Sequence, residues 1–209
     1  MKFVSLISGG IDSPVATYLL SKNADEIILV HGDIKPFTDD REIEKLTLLI
    51  GYLKKIIKCP IKTYVVSHGI ILSSFKKYCN NKFTCVFCKR TLLKYAEIIA
   101  NKEGADAIIM GDSLGQVASQ TLQNIKIVES AVNIPVLRPL IGLDKEDVVK
   151  IAKEIGTYEL SILPTDGCNA VPSKPSTMAK FQTILGEENK IDIEKLIRKA
   201  VKNARILEI

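Results

Sequence analysis

The chain has 209 residues, of which 46% are hydrophobic and 25% charged, and its formal net charge is +5 at pH 7. This is enough for one α/β domain with a proper core, and the mild positive charge permits an anionic partner without requiring nucleic acid. The sequence has no uncharged apolar run of 18 residues, and the first predicted strand at Lys2 leaves no room for a signal peptide. We therefore expect a single cytoplasmic domain over residues 1–209 that does not contact a membrane.

Short apolar runs alternate with helical patterns along the chain. The predicted strands are residues 2–7, 26–31, 61–66, 106–110 and 134–137. The predicted helices are residues 12–22, 39–57, 69–77, 89–103, 144–156, 176–185 and 190–204. Between them we expect an irregular, cysteine-bearing loop at 78–88 and a proline-rich loop at 164–176, and the chain closes with a helical segment at 176–209.

This alternation predicts βαβ units and an α/β fold with an open, doubly wound parallel sheet of about five strands. In such sheets ligands bind beyond the carboxyl ends of the strands, near the point where the strand order reverses. That edge is predicted to carry Ser8–Ser13, the pair His31-Gly32 and the pair Gly111-Asp112.

The most informative segment is Ser8-Gly-Gly-Ile-Asp-Ser13, which follows the first strand and opens a helix. Adjacent glycines, two hydroxyl groups and a helix N-terminus form an anion site suited to a phosphate. The segment is neither a Walker A loop nor a G-x-G-x-x-G turn. An ordinary strand-to-helix turn is the alternative. The string resembles the PP-loop of ATP pyrophosphatases, which split ATP into AMP and pyrophosphate.

Three further strings extend this resemblance to the tRNA 4-thiouridine synthetases, also called thiamine-biosynthesis sulfurtransferases. They are Gly111–Thr121 (GDSLGQVASQT), Leu137–Ile141 followed by Asp144-Lys-Glu, and Cys168 followed by Pro172–Thr177. The likeness covers most of residues 1–180. It implies an adenine-nucleotide alpha-hydrolase-like fold in which ATP and Mg²⁺ activate the C4 oxygen of a uridine in tRNA, after which sulfur displaces AMP.

The resemblance also implies roles for individual residues. Asp12, Lys145 and Cys168 would be catalytic, although Asp12 could serve only the helix dipole and Lys145 could be a solvated lysine. Gln116 and Gln120, which are four apart on one predicted helix face, could likewise be surface amides. The implied ATP-binding residues are Ser8, Gly9, Gly10, Asp12, Ser13, His31, Gly32, Gly111, Asp112, Gln116 and Gln120.

Five cysteines, an odd number, argue against a disulfide framework and favour metal or redox chemistry. The pair Cys85-x-x-Cys88 could be a redox pair, half of a zinc site or part of an iron–sulfur site. With Cys168 it resembles the branch of the family whose [4Fe–4S] cluster has three protein ligands. Cys59 is expected to pack at a helix end, and Cys79 is a candidate spare ligand.

The family usually carries an RNA-binding THUMP domain before the PP-loop, and some members end in a rhodanese domain. Neither is expected in this chain, so we expect a separate RNA-binding protein to help bind the tRNA. The sequence does not identify the sulfur donor, and it allows a homodimer. His68 is expected on the surface. A basic rim around the cysteine loop could be a solvated face or a weak tRNA contact: Lys76, Lys77, Lys82, Lys89 and Arg90.

Two other functions compete with tRNA thiolation. One is a PP-loop enzyme that sulfurates or amidates a small molecule after adenylation. The other is a nucleotide- or cluster-binding subunit that has no catalysis of its own.

Overall fold

The computed structural model describes all 209 residues and confirms the predicted α/β class. A six-stranded sheet has the order β5-β4-β1-β2-β3-β6 and carries helices on both faces. Its strands are β1 (Lys2–Leu6), β2 (Glu26–Asp33), β3 (Ile61–Ser67), β4 (Ala107–Ile109), β5 (Val136–Leu137) and β6 (Arg205–Ile206).

Nine α-helices connect and follow these strands. They are α1 (Asp12–Ser21), α2 (Arg41–Ile56), α3 (Gly69–Tyr78), α4 (Thr84–Glu103), α5 (Leu122–Glu129), α6 (Lys145–Glu154), α7 (Tyr158–Ser161), α8 (Phe181–Glu188) and α9 (Ile193–Lys202). Two short 3₁₀ helices precede α4 and α5, at Asn81–Phe83 and Ala118–Gln120. None of the helices is both long and apolar enough to cross a membrane.

The strand order places the functional edge of the sheet. The chain runs from β1 outward through β2 to β3 and then returns to the other side of β1 with β4, so the order reverses between β1 and β4. All pairs among these four strands are parallel, with Leu6 opposite Val30 and Ser5 opposite Ile109. The segment Ser8–Ser13 therefore leaves the sheet at the switch point, where ligands bind in such folds.

Side-chain alternation along the strands builds two apolar cores. Val4 and Ile28 belong to a cluster that packs under α4 and α9, whereas Phe3 and Ile27 belong to a second cluster under α1, α2 and α6. Because successive strand residues point to opposite faces, a strand covered on both sides reads as a continuous apolar run.

Two predictions about the sheet and its loops were wrong in detail. The sheet has a sixth strand, β6, which pairs antiparallel with β3 through two residues and is too short for a sequence pattern. The predicted loop at 78–88 is largely helical, because α4 begins at Thr84 and Cys85 and Cys88 lie in its first turns. Buried Val86 and Phe87 hold this start of α4 against the core.

The C-terminal segment at 176–209 also differs from the prediction. The helix predicted at 176–185 begins only at Phe181, because the side chain of Asn124 binds the backbone before it. The side-chain amide of Asn124 donates to Ser176 O at 2.8 Å, and its side-chain carbonyl oxygen accepts from Ala179 N at 3.0 Å. These two hydrogen bonds therefore hold the stretch ahead of α8 outside the helix.

Arg90 was predicted on a basic rim, and the structure places it in the interior instead. It is only 3% exposed and makes a bidentate ion pair with Glu188, through Nε to Oε1 at 2.7 Å and Nη2 to Oε2 at 3.0 Å. Its Nη1 donates to Ile127 O at 2.6 Å. Arg90 thus ties α4 to α5 and α8 and is not available to RNA.

Replacing Glu188 by alanine should therefore destabilise the fold strongly. Removing one partner of a buried ion pair leaves an uncompensated charge and costs about 3–5 kcal/mol. The exposed pair Lys94–Glu194 is the control, because Glu194→Ala should cost only about 0–1 kcal/mol. Urea denaturation of both variants measures the difference, and equal midpoints would contradict the assigned role of Arg90.

Candidate active site

The segment Ser8–Ser13 forms a closed turn between β1 and α1. Ser13 Oγ accepts a hydrogen bond from Ser8 N at 2.9 Å and lies 3.1 Å from Ser8 Oγ. No side chain caps α1, whose N-cap position is Ile11. The amide groups of the first turn are therefore free to bind an anion such as phosphate.

Two glycines allow other backbone segments to approach this turn closely. A Cβ atom on Gly111 would lie 2.8 Å from Ser13 N, so β4 continues directly against the start of α1. A Cβ on Gly32 would lie 2.5 Å from Leu92 Cδ2. Larger residues at these positions would push apart the elements that surround the turn.

A cleft of about 230 Å³ opens beside the turn and has the composition of a nucleotide site. The turn contributes hydroxyl and amide groups to the lining. The lining also includes the apolar side chains of Leu6, Val30, Leu92 and Met110 and the polar side chains of Lys89, Asp112 and Gln120. Apolar walls with a few convergent polar groups are typical of small-molecule sites.

Asp112 is the buried centre of that polar group. Its Oδ1 accepts from Lys89 Nζ at 2.6 Å and from Gln120 Nε2 at 3.4 Å, and its Oδ2 accepts from Arg138 Nε at 3.3 Å. Burial alone would raise the pKa of Asp112, but the two cations outweigh it and hold the pKa below its ordinary value. The carbonyl oxygen of Gln120 is buried without a partner, which leaves an acceptor for a ligand in the cleft.

Lys145 and Asp12 meet at the mouth of the cleft. Lys145 opens α6 and its Nζ lies 2.7 Å from Asp12 Oδ1 in the first turn of α1. Both side chains are partly exposed, at 50% and 27%, so the pair can open to admit a charged ligand. The structure thus brings together these two residues, which are far apart in sequence.

A second cavity of about 390 Å³ adjoins the cleft on the other side of the turn. It shares with the cleft the wall formed by Ile7, Ser8, Gly10, Gly32 and Leu92. We call it the thiol cavity, because Cys88 and Cys168 line it together with His31, Ile34, Glu42, Lys45, Thr165 and Gly167.

The loop that carries Cys168 is docked on the start of α2. Asn169 N donates to Phe37 O at 2.8 Å, and Asp166 accepts from Arg41 Nη2 at 2.6 Å. Lys45 Nζ donates to Leu163 O at 3.0 Å. These contacts hold an exposed thiol at the entrance of the thiol cavity.

His68 was expected on the surface and is instead fully buried behind Cys88. Its Nε2 lies 3.2 Å from Cys88 Sγ, and its Nδ1 lies 3.2 Å from Tyr95 Oη. Burial lowers the pKa of His68 to about 3, so the ring is neutral at physiological pH. Sequence reasoning missed this contact, because His68 precedes α3 and Cys88 lies in α4, and only the fold brings these two segments together.

The thiols of Cys85, Cys88 and Cys168 are free and close enough to affect one another. Burial and then the neighbouring Cys168 and Cys85 raise the pKa of Cys88 to about 12, and burial also raises the pKa of Cys85. No three or more Cys, His, Asp or Glu side chains are gathered tightly enough to hold a single metal ion. The all-sulfur donor set suits an iron–sulfur cluster better, since each thiolate binds a different iron.

The other two cysteines lie apart from this group. Cys79 Sγ donates to Glu187 O at 3.2 Å, which makes it a packing residue and not a spare ligand. Cys59 lies at the edge of the second apolar core, as expected.

Three further predictions need correction. Gln116 and Gln120 do not share a helix face, because only Gln120 is in the 3₁₀ helix and Gln116 lies in the preceding turn, outside both cavities. Lys89 was predicted on the RNA rim and instead lines the nucleotide cleft. His31, which was predicted to bind ATP, is buried with its Nδ1 3.0 Å from Ile7 O, and it lines the thiol cavity rather than the nucleotide cleft.

Comparisons with known proteins agree with this geometry. A family model described as thiamine biosynthesis protein (ThiI) matches residues 1–193. The chain is similar to probable tRNA sulfurtransferases from Methanobrevibacter smithii, at 46% identity over 88% of the chain and 48% of that protein. It is also similar to a probable tRNA sulfurtransferase from Methanothermobacter thermautotrophicus, at 43% identity over 92% of the chain and 50% of that protein. The chain therefore spans about half the length of the curated relatives it matches.

The chain is also similar to solved structures, of which two are described. One is a crystal structure of a 4-thiouridine synthetase–RNA complex with bound ATP, with a TM-score of 0.93 and 36% identity over 99% of this chain and 54% of that one. The other is an NMN synthetase from Francisella tularensis, which covers 96% of this chain and 83% of that one. Its TM-score of 0.55 and 14% identity support a likeness of fold alone.

In metal-free protein at pH 8, alkylation should modify Cys168 well before Cys88. Cys168 is exposed, whereas Cys88 has a pKa of about 12 and is almost entirely protonated. Because thiolate is the reactive species, labelling of Cys88 should rise about tenfold for each pH unit between 8 and 10. Mass spectrometry of the peptides measures both rates. Equal rates at pH 8 would contradict the buried position of Cys88.

Asp112→Asn should destabilise the protein by about 3 kcal/mol or more at pH 7, because it leaves Lys89 and Arg138 without their buried counter-charge. The lowered pKa means that wild-type Asp112 stabilises the fold above the ordinary carboxyl pKa of about 3.9 and loses this effect as pH falls through the folded-state value.

Urea denaturation between pH 3 and pH 7 measures this difference, which should therefore shrink at the acid end of the range. Asp147→Asn, at an exposed site, is the control and should change stability by only about 0.5 kcal/mol. A difference between wild type and Asp112→Asn that does not depend on pH would contradict the assignment.

Proposed function

The chain belongs to the thiamine biosynthesis protein (ThiI) family, and we propose that it carries the catalytic site of a tRNA sulfurtransferase. In this proposal it uses ATP to activate a uridine in tRNA and replaces the C4 oxygen with sulfur. The supporting observation is that a nucleotide cleft and a cavity holding two thiols share the wall formed by Ser8 and Gly10. Activation and sulfur transfer can then occur on one base without its release.

The first step would use the turn Ser8–Ser13 to hold the phosphates of ATP. The uridine O4 attacks the α-phosphorus, and pyrophosphate leaves. Lys145 would stabilise the negative charge that develops there. Asp12, which faces the same cleft, would bind the Mg²⁺ that accompanies ATP. The proposed ATP site also includes Asp112 and its partners at the far end of the cleft.

The second step would take place on the side of the turn that faces Cys88 and Cys168. A sulfide equivalent adds to C4 of the adenylated base, the C4–O bond breaks, and AMP leaves with that oxygen. The sum is one sulfur gained and one oxygen lost at C4, without a change of redox state at the base. The exposed Cys168 would handle the incoming sulfur.

We further propose that Cys85, Cys88 and Cys168 hold a [4Fe–4S] cluster through three thiolates. Such a cluster leaves one iron open, and when bound it supplies a site that can carry sulfide. His68 would hydrogen-bond the Cys88 sulfur, which is a common way to orient a ligating group. Cys85 and Cys88 are only partly exposed, which would limit the access of solvent to the site. Free thiols also persist in the reducing cytoplasm, which is where we place the protein.

The tRNA would approach over the loop that carries Cys168. Exposed Lys76, Lys77 and Lys82 remain from the predicted rim once Lys89 and Arg90 are removed. Lys82 lies beside that loop, because its O accepts from Ser176 N at 2.9 Å. Lys76 lies over the ring of Phe37, whose O accepts from Asn169 N of the same loop. A few lysines support only weak, salt-dependent binding, so a separate RNA-binding protein would supply further contacts.

The test is product analysis with tRNA, ATP and sulfide under anaerobic conditions. Phosphorus NMR should show AMP and pyrophosphate, and mass spectrometry of the nucleosides should show 4-thiouridine. Lys145→Met should lower the rate by about 10²-fold or more by removing charge stabilisation, whereas Lys150→Met, exposed on the same helix, should not. Release of ADP and orthophosphate, or thiolation of a small molecule alone, would overturn the proposal.

A further inference from the structure

Glu42 lies in the thiol cavity with no cationic partner. It is in the first turn of α2, where its Oε1 accepts from Gly9 N at 3.4 Å. Lys45 lines the same cavity, but its Nζ donates a hydrogen bond to Leu163 O at 3.0 Å and makes no salt bridge with Glu42. Glu42 therefore presents a free carboxylate oxygen beside the phosphate-binding turn.

The other carboxylates near the turn are already paired. Asp12 is bound to Lys145 at 2.7 Å, and Asp112 is bound to Lys89 at 2.6 Å. His31 lines the same cavity, but burial lowers its pKa and makes it a weak proton acceptor. Of the groups around the turn, Glu42 is the one best placed to accept a proton.

Adenylation of uridine requires such an acceptor. When O4 attacks the α-phosphorus, the N3–H bond breaks and its electron pair forms the N3=C4 double bond. The former C4=O π pair becomes the new O–P bond, and the bond from phosphorus to the β-bridging oxygen breaks as pyrophosphate leaves. One proton is released from N3, and no oxidant or reductant is needed.

We propose that Glu42 is the general base that takes the N3 proton of the acceptor uridine, whose base binds in the thiol cavity. This inference rests on the proposed function and names the site of its substrate. The cavity volume of about 390 Å³ accommodates a pyrimidine turned out of the RNA stack, with Ile34 and Leu92 as apolar walls. The base would then lie between the turn that holds ATP and the two thiols.

This placement also accounts for a choice between pyrimidines. Uracil presents N3–H, which a carboxylate oxygen accepts as a hydrogen bond. Cytosine presents an unprotonated N3, whose lone pair would repel the lone pairs of the carboxylate oxygen. The same side chain therefore favours uridine and rejects cytidine.

The test is the variant Glu42→Gln, which keeps an acceptor oxygen for Gly9 but cannot take a proton. With the full-length protein and tRNA, RNA-dependent pyrophosphate release should fall by about 100-fold or more, the usual contribution of a general base. Calorimetry should show unchanged ATP affinity, which separates this loss from misfolding. Glu42→Asp keeps the carboxylate and should retain more activity than Glu42→Gln.

Glu44→Gln is the matched control, because Glu44 lies exposed in the same helical turn. It should behave as wild type, which excludes an effect of the helix dipole. Transcripts that carry 5-fluorouridine have a more acidic N3–H, so with them the defect of Glu42→Gln should shrink markedly.

An undiminished rate in Glu42→Gln, or an equal defect with uridine and 5-fluorouridine, would overturn the role of Glu42 alone. Absence of RNA-dependent pyrophosphate release in wild type would overturn the proposed function, and the role of Glu42 with it.

Discussion

The close approach of β4 to the start of α1 is the constraint on which the site depends. Gly111 follows β4 so near to Ser13 that no side chain fits between their backbones. This contact is possible because β1 and β4 are adjacent and parallel, with Ser5 opposite Ile109. It fixes the turn Ser8–Ser13 against the segment that carries Asp112, so that both line one cleft.

The charged side chains around this cleft are paired before any ligand binds. Asp112 pairs with both Lys89 and Arg138, Glu129 also pairs with Arg138, and Asp12 pairs with Lys145 at the mouth. The buried set is rigid because breaking it would strand a charge, whereas the exposed pair at the mouth can exchange partners cheaply. A rigid set of buried ion pairs beside an exposed pair that can change partners suits the binding of a polyanion and the release of products.

In the proposed function, the second cavity supplies the site of the second step, sulfur transfer. Its thiols are presented by elements of different kinds: Cys88 from the rigid start of α4 and Cys168 from an exposed loop. The buried His68 and Tyr95 support the first thiol, while the second remains accessible at the entrance. The thiol of Cys88 is therefore held in the cavity, whereas the thiol of Cys168 is accessible from solvent. This arrangement suits the transfer of sulfur from a donor to a base.

Local sequence signals anticipated much of this architecture. Apolar runs separated by helical patterns identified the parallel strands, since buried strands carry apolar residues on both faces. The helical start of α4 was missed because cysteines interrupt its pattern at Cys85 and Cys88. The late start of α8 was missed because Asn124, more than fifty residues away, decides it through two hydrogen bonds.

The sequence by itself determined the fold class, the strand-to-helix turn at Ser8–Ser13 and the likeness to the thiolation family. These features depend on short sequence motifs and on the periodicity of apolar residues. Only the tertiary structure decided that Arg90 is buried, that Lys89 faces the nucleotide cleft and that His68 contacts Cys88. The sequence does not show whether a charged or polar residue is exposed to solvent or paired in the interior. Its partner comes from another element, and the packing of those elements decides which it meets.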